Sequence, residues 1–202
     1  MLLANNLSFS RNNVNVFKDI NLSIGSGQIK QIKGKNGSGK TTFLKTILNI
    51  LLPENGEVFW EGKNIKKNIF NFYKEITLIM DEPSSTKSLT LINNINFWKG
   101  FSDSTITDNE VLLLLQAFKL EKYIHTQVMY LSSGEVKKLE LLRLIIEQKK
   151  IWILDEPYNH LDEGSIEILN QTFVDHTNNN GIILFTSHYI PQIAKLDILE
   201  FN

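Results

Sequence analysis

A glycine-rich segment in the first quarter of the chain has the residue types and spacing of a phosphate-binding loop. Residues 34–41 read Gly-Lys-Asn-Gly-Ser-Gly-Lys-Thr and fit the pattern G-x-x-x-x-G-K-[ST]. Glycine lets backbone N–H groups turn inward around phosphate oxygens, because no Cβ blocks the dihedral angles that this requires. A predicted helix follows, and its partial positive end points at the same anion. The pattern therefore predicts a site for a nucleoside triphosphate.

Two side chains at the end of this loop carry the chemistry. Lys40 brings a full positive charge to the β- and γ-phosphates, and the hydroxyl of Thr41 can ligate Mg²⁺. A glycine-rich turn with a solvated lysine is the alternative, and the full match between a strand and a helix argues against it. The predicted nucleotide-binding residues of this segment are Gly34, Lys35, Asn36, Gly37, Ser38, Gly39, Lys40, Thr41 and Thr42.

A second candidate site follows a short apolar strand. Residues 151–154 are Ile-Trp-Ile-Leu and lead directly into Asp155 and Glu156. In open sheets of parallel strands, ligands bind beyond the carboxyl ends of the strands, so these two acids should lie beside the phosphate loop. We expect Asp155 to hold Mg²⁺, directly or through water, and Glu156 to polarise an attacking water. Without the phosphate loop, two solvated acids before Pro157 would be the preferred interpretation.

The composition excludes several other functions. The 202 residues carry 21 Lys and Arg against 22 Asp and Glu, which argues against a general nucleic-acid binder. Cysteine is absent, so disulfides, Cys-ligated zinc and thiol catalysis are excluded. The longest apolar runs are far shorter than the ~20 residues of a membrane-spanning helix. The first five residues lack the basic region of a signal peptide, so we expect a soluble, intracellular chain.

The remaining pattern predicts the elements that position these residues. Alternating apolar and polar residues predict half-buried strands near the start, and unbroken apolar runs predict buried parallel strands later. The predicted strands are 7–10, 20–24, 28–33, 57–60, 76–80, 151–154 and 182–185. Helical spacing predicts a helix over 41–52. From about residue 84 to residue 150 the pattern is helical, with Thr90 and Asp108 as candidate caps and a third helix after Gly134.

A third motif, Leu131-Ser132-Ser133-Gly134-Glu135, lies between the two candidate sites. With it, essentially the whole chain resembles the ATP-binding cassette (ABC) ATPases, whose signature is L-S-G-G-Q. The resemblance implies that Ser132 and Gly134 of one subunit cap the γ-phosphate bound by a partner's phosphate loop, a role that suits a hydroxyl and an unobstructed N–H. It also implies that residues 159–162 form the D-loop at the dimer interface and that His188 is the switch histidine at the γ-phosphate.

The resemblance further implies the fold class and its organisation. The fold would be an α/β P-loop NTPase of the ABC ATPase type, with a mixed central sheet, an antiparallel β subdomain and an inserted α-helical subdomain. Residues 1–202 would form one ABC ATPase domain, with a RecA-like core at about 1–83 and 149–202 and the helical subdomain at about 84–148. ATP and Mg²⁺ are the implied cofactors.

Several positions depart from the family's pattern. Glu82 stands where the family has a glutamine that senses magnesium and water, so it keeps an oxygen ligand for Mg²⁺ but loses the amide donor. The aromatic residue that stacks on adenine aligns best with Arg11, whose guanidinium plane can stack on a base. Phe9 is the neighbouring candidate, although its place in an alternating strand favours burial. In the signature, Ser133 and Glu135 replace Gly and Gln, which concerns turnover more than nucleotide binding.

Shorter stretches are similar to the ATP-binding subunit of cytochrome c biogenesis haem exporters. They are residues 31–34, 56–60, 152–157 and 181–184. This resemblance implies a peripheral subunit on the cytoplasmic face of the inner membrane, which couples ATP hydrolysis to haem delivery or to release of a haem-loaded chaperone. The implied partners are a second ABC subunit, most simply a second copy, and integral membrane transporter subunits. Neither nucleic acid nor direct haem binding is expected.

Other functions stay open at this point. The runner-up is the ATPase subunit of another ABC exporter, for a lipid or a drug. A soluble ABC protein of translation or DNA repair usually has two cassettes or a long coiled-coil insertion, and the sequence shows neither. Glu82 and Ser133 lend weight to a subunit that binds nucleotide without hydrolysing it. A P-loop GTPase is not supported, because the sequence has no N-K-x-D motif.

Overall fold

The strands of the chain form two sheets, one antiparallel and one parallel. This computed structural model describes residues 1–201. The strands are β1 (Leu2–Arg11), β2 (Val14–Ile24), β3 (Ile29–Gly34), β4 (Asn55–Trp60), β5 (Lys63–Asn64), β6 (Ile76–Ile79), β7 (Ile151–Asp155), β8 (Ile182–Thr186) and β9 (Leu196–Phe201). The α-helices are α1 (Lys40–Ile47), α2 (Ile69–Lys74), α3 (Leu91–Ser102), α4 (Asp108–Ala117), α5 (Ser133–Ile146) and α6 (Glu163–Asn178).

Antiparallel and parallel strand pairs occur in separate sheets. The antiparallel sheet has the order β2-β1-β4-β5, and the parallel sheet has the order β6-β7-β8-β3-β9. Both orientations expected of a mixed sheet are present, but within residues 1–201 they divide between two sheets that share no ladder. Strands β7 and β8 are buried along their whole length, since both faces of the sheet are covered. Their carboxyl ends lie side by side, with Asp155 paired with Thr186.

Three apolar clusters hold the layers together. One lies between the antiparallel sheet and one face of the parallel sheet, where Phe43 of α1 packs edge-on against Phe17 at 5.3 Å. A second covers the opposite face with α6, because successive side chains of a strand point to opposite sides. The buried members of the third all lie between Leu91 and Ile146. The carboxyl edge of the parallel sheet is therefore fixed from both faces.

The predicted strands are confirmed, and the helix boundaries differ in particular places. The helix predicted over 41–52 is α1 and ends at Ile47, since Asn49 adopts a left-handed φ of 56° that no α-helix continues. Thr90 caps α3 as predicted. The expectation that Asp108 caps α4 was wrong, because Thr107 accepts the N–H of Glu110 and forms a capping box. The sequence patterns did not predict α2, α6 or β9. Among the described residues, no helix combines the length and apolar character that spanning a bilayer requires.

His176, in the last turn of α6, is half-buried against the amino end of β7. Its ring stacks on Trp152 with 3.5 Å between centroids and 8° between planes. Its Nε2 lies 3.2 Å from the carbonyl oxygen of Lys150. A Cβ at Gly181 would lie 2.2 Å from the same Nε2, so only glycine leaves room for the ring. Burial lowers the pKa of His176 to about 4, because the charged imidazolium would lose its hydration there.

Stability should therefore rise with pH between about pH 4 and the unfolded pKa of about 6.5. Between these two pH values His176 is protonated in the unfolded chain and neutral in the folded chain. Its contribution to the free energy of unfolding is therefore complete above the unfolded pKa and is lost as the pH falls towards the folded pKa. Urea unfolding of the wild type at pH 5 and pH 7 measures the change, with His176→Phe as the non-titrating control that keeps the stacking. Equal pH dependence in the two proteins would contradict the role of His176.

Candidate active site

The phosphate loop connects β3 to α1 and has the geometry that its glycines predict. Gly39, the residue before α1, has a φ of +97°, and a Cβ there would lie 2.6 Å from Cγ1 of Val16. Both the dihedral angle and the close approach therefore require glycine. The buried Oγ of Ser38 has no hydrogen-bond partner within residues 1–201. An unpaired donor in this loop fits a site that is completed by phosphate oxygens.

Lys40 joins the loop to the two predicted catalytic side chains. It is 7% exposed, and its Nζ donates to the carbonyl oxygens of Gly34 at 2.9 Å and Lys35 at 3.1 Å. The same Nζ lies 3.9 Å from Oε1 of Glu156 and 3.4 Å from Nε2 of His188. The ammonium thus closes the loop and faces the residues expected to act on the γ-phosphate.

The carboxylate of Asp155 links three elements at the carboxyl edge of the sheet. It is 3% exposed, its Oδ2 accepts the hydroxyl of Thr41 at 2.7 Å, and its Oδ1 accepts the hydroxyl of Thr186 at 2.5 Å. Thr41 lies in the first turn of α1, and Thr186 ends β8. Two of the three residues predicted to ligate magnesium, Thr41 and Asp155, are therefore in direct contact. Hydroxyl and carboxylate oxygens are donors that Mg²⁺ prefers, so this set fits the ion.

Glu156 adopts an unusual backbone conformation at the end of β7. Its φ is 46°, and its N–H is held by the carbonyl oxygen of Thr186 at 3.1 Å and by the Thr186 hydroxyl at 3.0 Å. Its Oε1 lies 3.5 Å from the ring Nε2 of His188. The backbone N–H of His188 donates to Oε2 of Glu156 at 3.3 Å. A left-handed non-glycine residue costs ~1–3 kcal/mol, and such strain is concentrated at functional sites. Asp155, bonded to Thr41, and Glu156, close to Lys40, thus both lie beside the phosphate loop, where the sequence pattern predicted the two acids.

A cavity of about 470 Å³ opens beside the phosphate loop. It is lined by loop residues together with Arg11, Asp81 and the two acids after β7. Arg11 is exposed there, where a base could lie against it, whereas Phe9 stacks on Phe17 at 6.1 Å and packs against the core. Asp81 lines the cavity, while the neighbouring Glu82 is exposed on the same loop.

The signature motif caps α5. Ser132 accepts the N–H of Glu135 at 3.3 Å, and the Glu135 carboxylate accepts the N–H of Ser132 at 2.8 Å. The glutamate that departs from the family's glutamine therefore completes a capping box. A Cβ at Gly134 would lie 2.9 Å from the carbonyl oxygen of His160, so the neighbouring loop requires glycine here. Neither Ser132 nor Gly134 is part of the lining of the phosphate-loop cavity in residues 1–201.

A buried polar network between α5 and the loop after β6 was missed by the sequence analysis. Glu140 is 2% exposed and accepts the N–H of Ser85 at 2.6 Å and the hydroxyl of Ser84 at 2.9 Å. Arg143 donates to the same hydroxyl at 2.6 Å and to Glu140 at 3.2 Å. The loop that carries Asp81 is thus tied to the helix that begins at the signature. The available signal was the spacing of Glu140, which lies four residues after an apolar residue and therefore on the same face of the helix.

Comparison with known proteins identifies the family. The family model for the ABC transporter matches residues 17–159, which is more than half of the chain. A cytochrome c biogenesis ATP-binding export protein CcmA of Legionella pneumophila is 33% identical, with all of both chains aligned. The protein of the same name from Vibrio parahaemolyticus is 29% identical over 98% of this chain and 99% of its own length.

Solved structures agree on the fold. An ABC transporter ATP-binding protein from Pyrococcus furiosus superimposes with a TM-score of 0.84 at 22% identity, over 99% of this chain and 96% of that one. A dimeric ATP-binding cassette in a post-hydrolysis state with ADP and Pi gives a TM-score of 0.78 at 20% identity, over 94% and 88%. The phosphate loop, the acids after β7 and the signature helix occur here in one such fold. The chain belongs to the ABC transporter family.

Proposed function

We propose that the chain is the ATP-hydrolysing subunit of an ABC transporter complex in cytochrome c biogenesis, where it powers haem export or delivery, or release of a haem-loaded chaperone. The main support for ATP hydrolysis is that Lys40, Glu156 and His188 come together beside the phosphate loop. Their polar atoms lie 3.4–3.9 Å apart. The names of relatives aligned over their whole length support the pathway. Haem is cargo of the complex and needs no site on this subunit.

ATP binding would use the loop as it stands. Backbone N–H groups of residues 34–42 and the start of α1 receive the phosphates. The ammonium of Lys40 exchanges the carbonyl oxygens of Gly34 and Lys35 for the β- and γ-phosphate oxygens, because a bond to an anion is the stronger one. Arg11 stacks on the adenine from the rim of the cavity.

Magnesium would be held by the oxygens that already meet at the start of α1. Thr41 and Asp155 are the ligands that the geometry supports best, and Glu82 on the neighbouring loop is the third proposed ligand. When bound, the ion neutralises charge on the β- and γ-phosphates. In residues 1–201 no group of three or more acidic or histidine side chains is placed to hold a metal ion. Oxygen atoms of the bound phosphates would be suitable further ligands.

The two proposed catalytic side chains, Glu156 and His188, would have different roles in hydrolysis. Glu156 polarises a water in line with the γ-phosphate, and its strained backbone fixes the direction of the carboxylate. His188, 3.5 Å from that carboxylate, steadies the charge that develops on the phosphoryl oxygens. Both act from the carboxyl edge of the sheet, beside the loop that binds the triphosphate.

A second copy of the chain would complete the site. Ser132 is exposed and lies away from the phosphate-loop cavity of its own chain, so its hydroxyl is free to meet the γ-phosphate held by another subunit. The N-terminus of α5 and the N–H of Gly134 add positive partial charge. Two copies, head to tail, thus enclose two ATP molecules and open after hydrolysis.

Membrane subunits would receive this motion on the cytoplasmic face of the inner membrane. The helical subdomain at about 84–148 has its own apolar cluster, and Glu140 ties its last helix to the loop after β6. A change at the γ-phosphate can therefore move this subdomain as a unit against the RecA-like core at about 1–83 and 149–202. No nucleic acid is involved.

Replacing Lys40 with alanine should raise the Kd for ATP at least ~10-fold, because the charge that meets the β- and γ-phosphates is removed. Isothermal titration with a non-hydrolysable ATP analogue measures this. Lys45→Ala, on the same helix but outside the cavity lining, is the matched control and should bind normally. Unchanged affinity of the Lys40 variant would count against the phosphate-loop assignment.

Glu156→Gln should lower ATP turnover at least ~100-fold and keep ATP bound, because the base is lost while the phosphate contacts remain. Gel filtration with light scattering should then show an ATP-dependent dimer, which Ser132→Arg abolishes. Glu167→Gln, exposed on α6, is the matched control for turnover. Wild-type-like hydrolysis by Glu156→Gln would falsify the assignment of the base.

Loss of the subunit should abolish maturation of c-type cytochromes in the native host, because their haem is no longer delivered. Haem-stained gels of membrane fractions measure this. Wild-type chain supplied from a plasmid should restore the stained bands, and Glu156→Gln should not. Normal cytochromes c in the deletion strain would reject the pathway and leave the ATPase assignment intact.

A further inference from the structure

Gln31 is a buried polar residue in the middle of the parallel sheet. It lies on β3, between β8 and β9, opposite Phe185 and Ile198 in the two ladders. Its side chain has no exposed surface. The residues two positions before it and one after it, Ile29 and Ile32, belong to apolar clusters. An amide at such a place is costly unless its polar atoms are bonded, so its bonds indicate its purpose.

The amide of Gln31 bonds to both neighbours of His188. Its Nε2 donates to the carbonyl oxygen of Ser187 at 2.8 Å and to that of Tyr189 at 3.0 Å. Its Oε1 has no partner within residues 1–201. The amide nitrogen of Gln31 therefore uses both of its N–H groups to bond the residues on either side of His188.

Apart from the approach of its ring to Lys40 and Glu156, few other contacts fix the histidine. It lies just after β8, at the start of residues 187–195, which form no helix or strand before β9 begins. Its ring is 49% exposed. Its backbone N–H donates to Oε2 of Glu156 at 3.3 Å, near the upper limit for such a bond. The two bonds from Gln31 are shorter than this one and come from the rigid centre of the sheet.

We propose that Gln31 is a positioning residue for His188. This inference rests on the proposed function, in which His188 acts at the γ-phosphate. Gln31 is not part of the lining of the phosphate-loop cavity and acts by holding the peptide units on either side of the histidine. Misplacement of a catalytic group by about 1 Å can cost ~100-fold in rate, so the loss of this clamp should appear in kcat.

Methionine is the informative replacement. It has nearly the length and volume of glutamine but donates no hydrogen bond, so Gln31→Met removes the clamp and keeps the packing. Thr77→Val is the matched control, because Thr77 is also fully buried on the same sheet and its hydroxyl has no partner within residues 1–201. Both changes remove a buried polar group, and only one of them touches the segment around His188.

A double-mutant cycle tests the proposal on the full-length chain, purified with the membrane subunits that accompany it. Gln31→Met should lower kcat ~10- to 100-fold and change KM for ATP less than ~2-fold. In the His188→Ala background the same substitution should cause no further loss, because the group that it positions is gone. Thr77→Val should leave kcat unchanged in both backgrounds.

Hydrogen exchange reports the clamp directly. Amides of residues 187–190 should exchange faster in Gln31→Met than in Thr77→Val at equal overall stability. Equal losses of kcat with and without His188, or unaltered exchange in this segment, would overturn the proposal. If His188→Ala hydrolyses ATP normally, the role of His188 in the proposed function fails, and the positioning role of Gln31 fails with it. If only Gln31→Met is silent, the proposed function stands without this positioning residue.

Discussion

The carboxylate of Asp155 is the constraint on which the geometry of the site depends. It is almost fully buried, and its two oxygens accept hydroxyl groups from the first turn of α1 and from the end of β8. A buried carboxylate without partners costs several kcal/mol, so neither partner can move away freely. Strands β7 and β8 and helix α1 are consequently locked together at one point. The phosphate loop, which ends at Thr41, is thereby held at a fixed distance from Glu156.

The backbone at Glu156 follows from that constraint. Asp155 points inward to the two threonines, and the next residue must turn its carboxylate to the cavity within a single peptide unit. The chain achieves this with a positive φ, and the hydroxyl and carbonyl of Thr186 hold the strained N–H in place. Thr186 therefore serves both acids, one through its hydroxyl proton and the other through its acceptor oxygens. The proposed binding of the ion and the proposed polarisation of the water would both depend on this strand end.

Site residues that lie in one continuous motif could be predicted from the sequence, and residues whose partners are distant in the sequence could not. The phosphate loop and Asp155–Glu156 could be predicted because each motif adjoins its own strand or helix signal. Gln31 could not, since its partners lie 156 and 158 residues away. Glu140 was missed for the same reason, because its partners are 55 and 56 residues distant. Thr107 and Asp108 are both good caps, and the local signal that decides for Thr107 is Glu110, which completes a capping box with it.

Glu82 is the departure from the family's pattern that changes the charge on the loop beside the cavity. Asp81 lines the cavity with the two acids after β7, and Glu82 adds a further carboxylate on the same loop. The cations that oppose them are Arg11 and Lys40 in the cavity lining and the nearby buried Lys137, whose Nζ has no partner within residues 1–201. Burial lowers the pKa of Lys137, while Asp81 and other nearby acids act to raise it. A site this rich in carboxylates repels a free triphosphate, so ATP should enter accompanied by its divalent cation. A glutamine in place of Glu82 would relax that requirement, because it would keep the oxygen and remove the charge.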